Sequence, residues 1–281
     1  MKSVKPVVVV GIVDKQQSVL RFAARQARLV GAHLQIVNAA GPAVETAAVY
    51  PELGILKSLR DVGQHVLDDA RKFLNDELDI SDAEFTLADG IPTEVLKRVA
   101  DGARMLVLGA DDVPWYDRLI RTKVSGHVAM HARCPVVIVP EVAYPKSMEG
   151  DVVVTIDGDT SADGPLRFAF EQADARNGVL HVLHAVPPGT LPSDVADLRA
   201  NMSEVLAGWR DAFPDVAVMD VFAVGDPKDV VARATSGAEL VVVGRPHGRT
   251  MPFAISRPLA SDVLRKANCP VAVVPADYRG A

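Results

Sequence analysis

Four short segments hold residue types that could grip a charged small molecule. Two follow apolar runs and carry acids, Val13-Asp14-Lys15 and Asp157-Gly158-Asp159. Two follow other apolar runs and open on glycine, Gly109-Ala110-Asp111-Asp112 and Gly244-Arg245-Pro246-His247-Gly248-Arg249. An aspartate closing a strand can accept hydrogen bonds from a base amino group or a ribose hydroxyl, and it is equally suited to forming the turn into the next helix. Glycine after a strand permits positive φ and a close backbone approach to phosphate, or simply turns the chain. The next helix start offers free N–H groups and a positive dipole end to an anion. Arg245, Arg249 and Arg257 could bind phosphate through their side chains, or lie on a solvated loop. His247 reads as a loop residue rather than a catalyst or a ligand.

The segments come in pairs because the chain is a duplication. Gly90-Ile-Pro92, Gly102-Ala103, Val107-Leu-Gly109 and Cys134-Pro135-Val136-Val-Ile-Val139-Pro140 return as Gly225-Asp-Pro227, Gly237-Ala238, Val242-Val-Gly244 and Cys269-Pro270-Val271-Ala-Val-Val274-Pro275, displaced by 135 residues throughout. Upstream, Arg21-Phe22-Ala23 returns as Arg167-Phe168-Ala169 at a displacement of 146, so the first copy carries eleven extra residues between Ala39 and Gly90. Within each copy, short β-branched runs alternate with helical patterns. Val7–Val10 and Val152–Ile156 read as strands buried on both faces. Helices follow over Ser18–Val30 and Pro165–Asn177, with Gly31 and Gly178 as C-caps. The second strands are Leu34–Val37 and Leu180–Leu183. In the second copy Leu198, Met202, Val205, Leu206, Trp209 and Phe213 share one face of a long helix, the spacing of a sheet-covering helix. Third strands lie at Phe85–Ala88 and Val216–Val224, helices open at Pro92 and Pro227, and fourth strands are Met105–Leu108 and Leu240–Val243. A last helix leads to fifth strands Val136–Val139 and Val271–Val274. Strict β-α alternation implies a parallel sheet covered by helices on both faces, twice over. Glu141–Gly150 links domains expected at 1–141 and 150–281.

With 281 residues, each copy is large enough for its own core. A net charge of −6 argues against a broad nucleic-acid footprint. Cys134 and Cys269 hold equivalent places and read as buried thiols in a reducing compartment rather than a disulfide. The apolar run from Val7 stops at Asp14, at the short limit for a signal peptide and without a cleavage site, and no stretch approaches the ~18 apolar residues of a membrane span. A cytoplasmic protein with no membrane partner is expected.

The strand ending in Asp157-Gly158, the helix with Arg167-Phe168-Ala169, the Val-Val-Val-Gly244 strand and the closing Cys-Pro-Val-x-x-Val blocks together resemble the universal stress protein family, in the tandem form common in actinobacteria. The resemblance implies an α/β fold of two tandem, doubly wound, five-stranded parallel sheets, Rossmann-like, with strand order 3-2-1-4-5. It also implies pairing of fifth strands, which would make the chain an internal pseudo-dimer and leave a homodimer of tandem chains open. Nucleotide-binding relatives carry Gly-x-x-Gly, nine residues, then Gly-Ser or Gly-Thr, wrapped around the phosphates and ribose of ATP. In the first copy Asp112 stands at the second glycine, Thr122-Lys123 stand at Gly-Ser, and Asp14 falls one residue late. Asp111 and Asp112 would repel a polyphosphate. That site, marked by Asp14, Gly109, Asp112 and Thr122, reads as degenerate. The second copy is closer: Asp157 is in register, Gly248 lies one residue past the expected place held by His247, and Arg257-Pro258 follow Ser256 at the Gly-Ser position. Its nucleotide-binding set is Asp157, Gly158, Val182, Gly244, Arg245, His247, Gly248, Ser256 and Arg257.

The expected function is a non-catalytic stress-response protein whose binding of ATP or an anion is at most weak and is expected first in the second copy. The alternative is an interaction scaffold without a ligand, motivated by the loss of Gly-Ser in both copies. An ATP-hydrolysing enzyme is the third reading. Asp111, Asp112, Asp157 and Asp159 could hold Mg²⁺ with substrate phosphates completing the shell, but no Gly-x-Ser-x-Gly elbow or His-Glu-x-x-His pair is present.

Overall fold

The computed structural model describes residues 5–41, 53–110, 118–141, 150–156, 163–245 and 267–280. The chain divides into two compact units, Met1–Ala143 and Tyr144–Gly280. The first runs β1 (Val7–Gly11), α1 (Gln17–Leu29), β2 (His33–Ala40), α2 (Leu53–Leu78), β3 (Glu84–Asp89), α3 (Pro92–Val99), β4 (Met105–Gly109), α4 (Arg118–His131) and β5 (Val136–Val139). Its strands pair in parallel in the order β3-β2-β1-β4-β5. Val8–Val10, Met105–Leu108 and Val136–Val139 are buried throughout, because helices cover both faces of the sheet and continuous apolar runs are what such strands require. α1 packs with α2, and α3 with α4. The Arg28 guanidinium donates to the Leu78 carbonyl, joining the carboxyl ends of α1 and α2.

The second unit runs β6 (Val152–Thr155), α5 (Asp163–Arg176), β7 (Leu180–Val186), α6 (Pro192–Ala212), β8 (Val218–Val224), α7 (Pro227–Ala234), β9 (Leu240–Gly244) and β10 (Val271–Val274). Its parallel order is β8-β7-β6-β9-β10. Each unit therefore has the doubly wound 3-2-1-4-5 arrangement. The last helix expected between β9 and β10 falls on residues outside those described. The apolar face read from Leu198 to Phe213 packs inward, with its aromatic end against α5. Met202 and Leu206 are buried, and Phe170 of α5 stacks on Trp209 at 5.8 Å and Phe213 at 5.3 Å.

One helix stop differs from the sequence reading. Gly31 ends α1 at φ +61, but the left-handed residue after α5 is Asn177, at φ 51, and not Gly178. Asparagine tolerates that conformation better than other side chains do. Gly178 is needed for a different reason, since a Cβ there would overlap the Gly150 carbonyl oxygen. Beside it, at the amino end of the sheet, the Glu239 carboxylate accepts the Gly150 N–H at 2.7 Å and the Arg176 Nε–H at 3.1 Å. These two side chains are 8% and 1% exposed, so the pair is a buried one.

Cys134 and Cys269 are buried thiols and form no disulfide. Burial pushes the Cys269 thiol up to about 12. Among the described residues, no helix is long and apolar enough to cross a membrane.

Candidate functional site

Strand order reverses between β1 and β4 in the first unit and between β6 and β9 in the second. The crevice beyond those carboxyl ends is where an open parallel sheet receives a ligand. The hydrogen-bond register aligns the two crevices residue by residue. Val8 pairs with Leu34 and Met105, and Val152 pairs with Leu180 and Leu240. Past the strand ends, the Ile12 N–H donates to the Val37 carbonyl at 3.0 Å and the Ile156 N–H to that of Leu183 at 3.1 Å. Ile12 and Ile156 are thus equivalent. The next residue is Val13 in one unit and Asp157 in the other, so Asp14 does stand one residue late. The loop also differs in length: Arg21 follows Ile12 by nine positions, and Arg167 follows Ile156 by eleven.

The short loop changes what fills the first crevice. Val13 is 46% exposed, whereas Gln16 is only 9% exposed although exposed residues flank it. The Val13 N–H donates to Gln16 Oε1 at 3.4 Å. The same carboxamide lies against Gly109: a Cβ at that glycine would overlap Gln16 Nε2 and sit 3.0 Å from its Cδ. Ser125 of α4 donates to the Gly109 carbonyl at 3.3 Å. Asp14 is exposed and lines a groove of about 210 Å³ with Asp69, Phe73 and Glu77 of α2, and Gly109 is not part of its wall. Lys15 pairs with Asp69 at 3.3 Å on the same side.

In the second unit the glycine that closes β9 has different company. A Cβ on Gly244 would meet the Pro165 ring of α5 at 3.2 Å. One residue on, the Arg245 N–H donates to the Val274 carbonyl at 2.8 Å, just as the Ala110 N–H donates to Val139 at 2.7 Å. The lip that carries alanine in the first unit therefore carries a half-buried arginine in the second.

A pair of polar residues escaped the sequence reading. Asn38 Nδ2 donates to the Ile12 carbonyl at 2.9 Å, and His184 Nδ1 contacts the Ile156 carbonyl at 3.0 Å. Both side chains are buried, and since a carbonyl only accepts, His184 carries its proton on Nδ1. The displacement of 146 residues between Asn38 and His184, two polar residues in otherwise apolar strands, was the signal available. Val182 needs the opposite correction. It pairs with Val154 inside the sheet and is fully buried, so its side chain belongs to the core and not to the crevice. Thr122 falls within α4. Asp112, Asp157, Gly158, His247, Gly248, Ser256 and Arg257 lie outside the described residues.

What the described crevice offers is polar backbone, a close approach at Gly244 and an arginine next to it in the chain, all suited to an anion. The model of the universal stress protein family matches the chain twice, over residues 5–140 and 148–275. A universal stress protein of Mycobacterium tuberculosis is 31% identical over 256 residues, covering 84% of this chain and 85% of that one. One from Mycolicibacterium smegmatis is 27% identical over 286 residues, covering 95% and 96%. The crystal structure of a universal stress protein from Archaeoglobus fulgidus superposes with a TM-score of 0.70 over 98% of this chain and 96% of that one, at 17% identity, which shows a shared fold. Two family domains in series, each wound 3-2-1-4-5, make this chain a tandem member of the universal stress protein family.

Proposed function

We propose that the chain is a non-catalytic stress-response protein whose second unit takes an adenine nucleotide or a related phosphate-bearing anion. The strand register carries this reading. In the sequence Asp157 directly follows Ile156, the residue after β6, and β6 pairs with β9, the strand that ends in Gly244 and is followed by Arg245. In that order an aspartate can accept hydrogen bonds from a base or ribose, while a glycine admits phosphate to the backbone and an arginine supplies the countercharge. The first unit offers valine, alanine and a buried carboxamide at the corresponding places. Isothermal titration of the full chain with ATP and ADP, with and without Mg²⁺, tests the reading. Saturable binding that weakens at least tenfold in Asp157→Ala is the expected result. No saturable binding at millimolar nucleotide refutes it, and ATP turnover abolished by Asp157→Ala would replace it with an enzyme.

A further inference from the structure

The geometry points to Gln16 as a residue that bars the first crevice: its carboxamide stands beside Gly109, where a phosphate-bearing ligand would lie. Three observations meet here. First, Gly109 ends β4 at the switch point, and the atoms crowding the face of that glycine are Gln16 Nε2 and Cδ. A ligand phosphate approaching the backbone at Gly109 has to enter the same space. Second, Gln16 is buried although it sits on a loop between exposed Lys15 and Gln17. A carboxamide is not drawn from water by apolar attraction, and its burial costs free energy unless its polar atoms find partners. The contact that holds it is the Val13 N–H, whose donor is a backbone group at the mouth of the crevice. The side chain thus engages a backbone donor, as a bound anion's oxygen would. Third, Gln16 is the residue immediately before α1, with φ −82 and ψ 71, and its side chain does not cap the helix. A Ser, Thr, Asp or Asn there turns its side-chain oxygen to the first-turn N–H groups. Gln16 turns away from them and across to Gly109. The first turn also keeps an unused donor, since Ser18 Oγ is buried without a hydrogen-bond partner.

Loop length makes this possible. With two residues fewer between β1 and α1 than the second unit has between β6 and α5, the chain enters the helix directly from the crevice and brings Gln16 over Gly109. At the aligned position before α5 the second unit has Ala162, whose side chain is too short to do the same. The closure is thus built into the sequence by one loop deletion and one side chain.

The inference shares with the proposed function only the ligand class, and its test separates the two. Equilibrium dialysis of the full chain against radiolabelled ADP counts bound equivalents in wild type and in Gln16→Ala. One equivalent more in the variant is expected, whether the wild type binds one or none. A wild-type count of zero therefore fails the second-unit reading while leaving the increment to judge Gln16. Equal counts in a variant with native circular dichroism overturn the inference. Gln16→Ser, which keeps a hydroxyl on the loop, guards against misfolding of the alanine variant and should show the same increment. Amide exchange gives a second readout. The Val13 N–H should exchange at least tenfold faster in Gln16→Ala and regain protection with ADP, and loss of protection that ADP does not restore also counts against the inference.

Discussion

If Gln16 fills the space over Gly109, the two residues must be energetically coupled, and Gly109→Ala measures that coupling. The glycine does not have positive φ, so alanine fits the backbone, and by itself the exchange should stabilise a strand by roughly 0.5–1 kcal/mol. Against this, the new methyl would overlap Gln16 Nε2, lie 3.0 Å from Cδ and touch Val19 Cγ2 at 3.4 Å. Overpacking of this kind costs about 1–3 kcal/mol. The far end of a glutamine can swing aside, but it then leaves the Val13 N–H without its acceptor. The net loss expected is about 1 kcal/mol. In a Gln16→Ala background the two close contacts are gone, Val19 Cγ2 lies at ordinary packing distance, and Gly109→Ala should become neutral or stabilising by up to ~1 kcal/mol. The double-mutant cycle should therefore close with a coupling of about 1–2 kcal/mol. Because two units can unfold separately, a global midpoint is a poor reporter. Native-state hydrogen exchange at Leu106, Val107 and Leu108 of β4 reports the first unit directly. Additivity within about 0.4 kcal/mol would sink the assignment of Gln16 to the Gly109 face. Gly244→Ala is the control, since its neighbour is the rigid Pro165 ring and its cost should not change with residue 16.

The buried pair beneath the second sheet should be the more fragile feature. Arg176→Met leaves the Glu239 carboxylate buried with the Gly150 N–H and should cost about 3–5 kcal/mol, seen as an early urea transition of the second unit; a loss below ~1 kcal/mol would show that the charge escapes to solvent. Adding Glu239→Gln should recover much of that loss. Cys269, with its thiol raised to about 12 by burial, should stay protonated at pH 8.5 and react with iodoacetamide only as fast as the unit opens; labelling at the rate of a small free thiol refutes this. The raised value also sets a pH window. The stability that burial of the neutral thiol lends is complete below about 9, its ordinary value, and drains away as pH rises toward about 12.

Why the fold could be read from the sequence while the crevice could not follows from how each is encoded. A strand buried on both faces needs a run such as Val7–Val10 or Val136–Val139, and a covering helix needs its apolar residues three and four apart, so both leave a local trace. The crevice is set by alignment between strands distant in sequence. A displacement of 146 residues fits α1, α5 and the second strands, but Ile12 and Ile156 are displaced by only 144. That slip, which the sequence showed only as Asp14 falling one residue late, aligns Val13 with Asp157 in sequence and goes with a short loop that brings Gln16 over Gly109. Val182 misled for the related reason that sequence gives a residue's strand but not its depth along it. The Asn38 and His184 contacts show what duplication preserves. Both tie down the same carbonyl, that of Ile12 or Ile156, with different chemistry, so the backbone at the crevice mouth is held alike in both units. Divergence in ligand preference then falls on residues that need only reach into the crevice from this common frame, and a two-residue change in one loop is enough to decide whether a side chain does so.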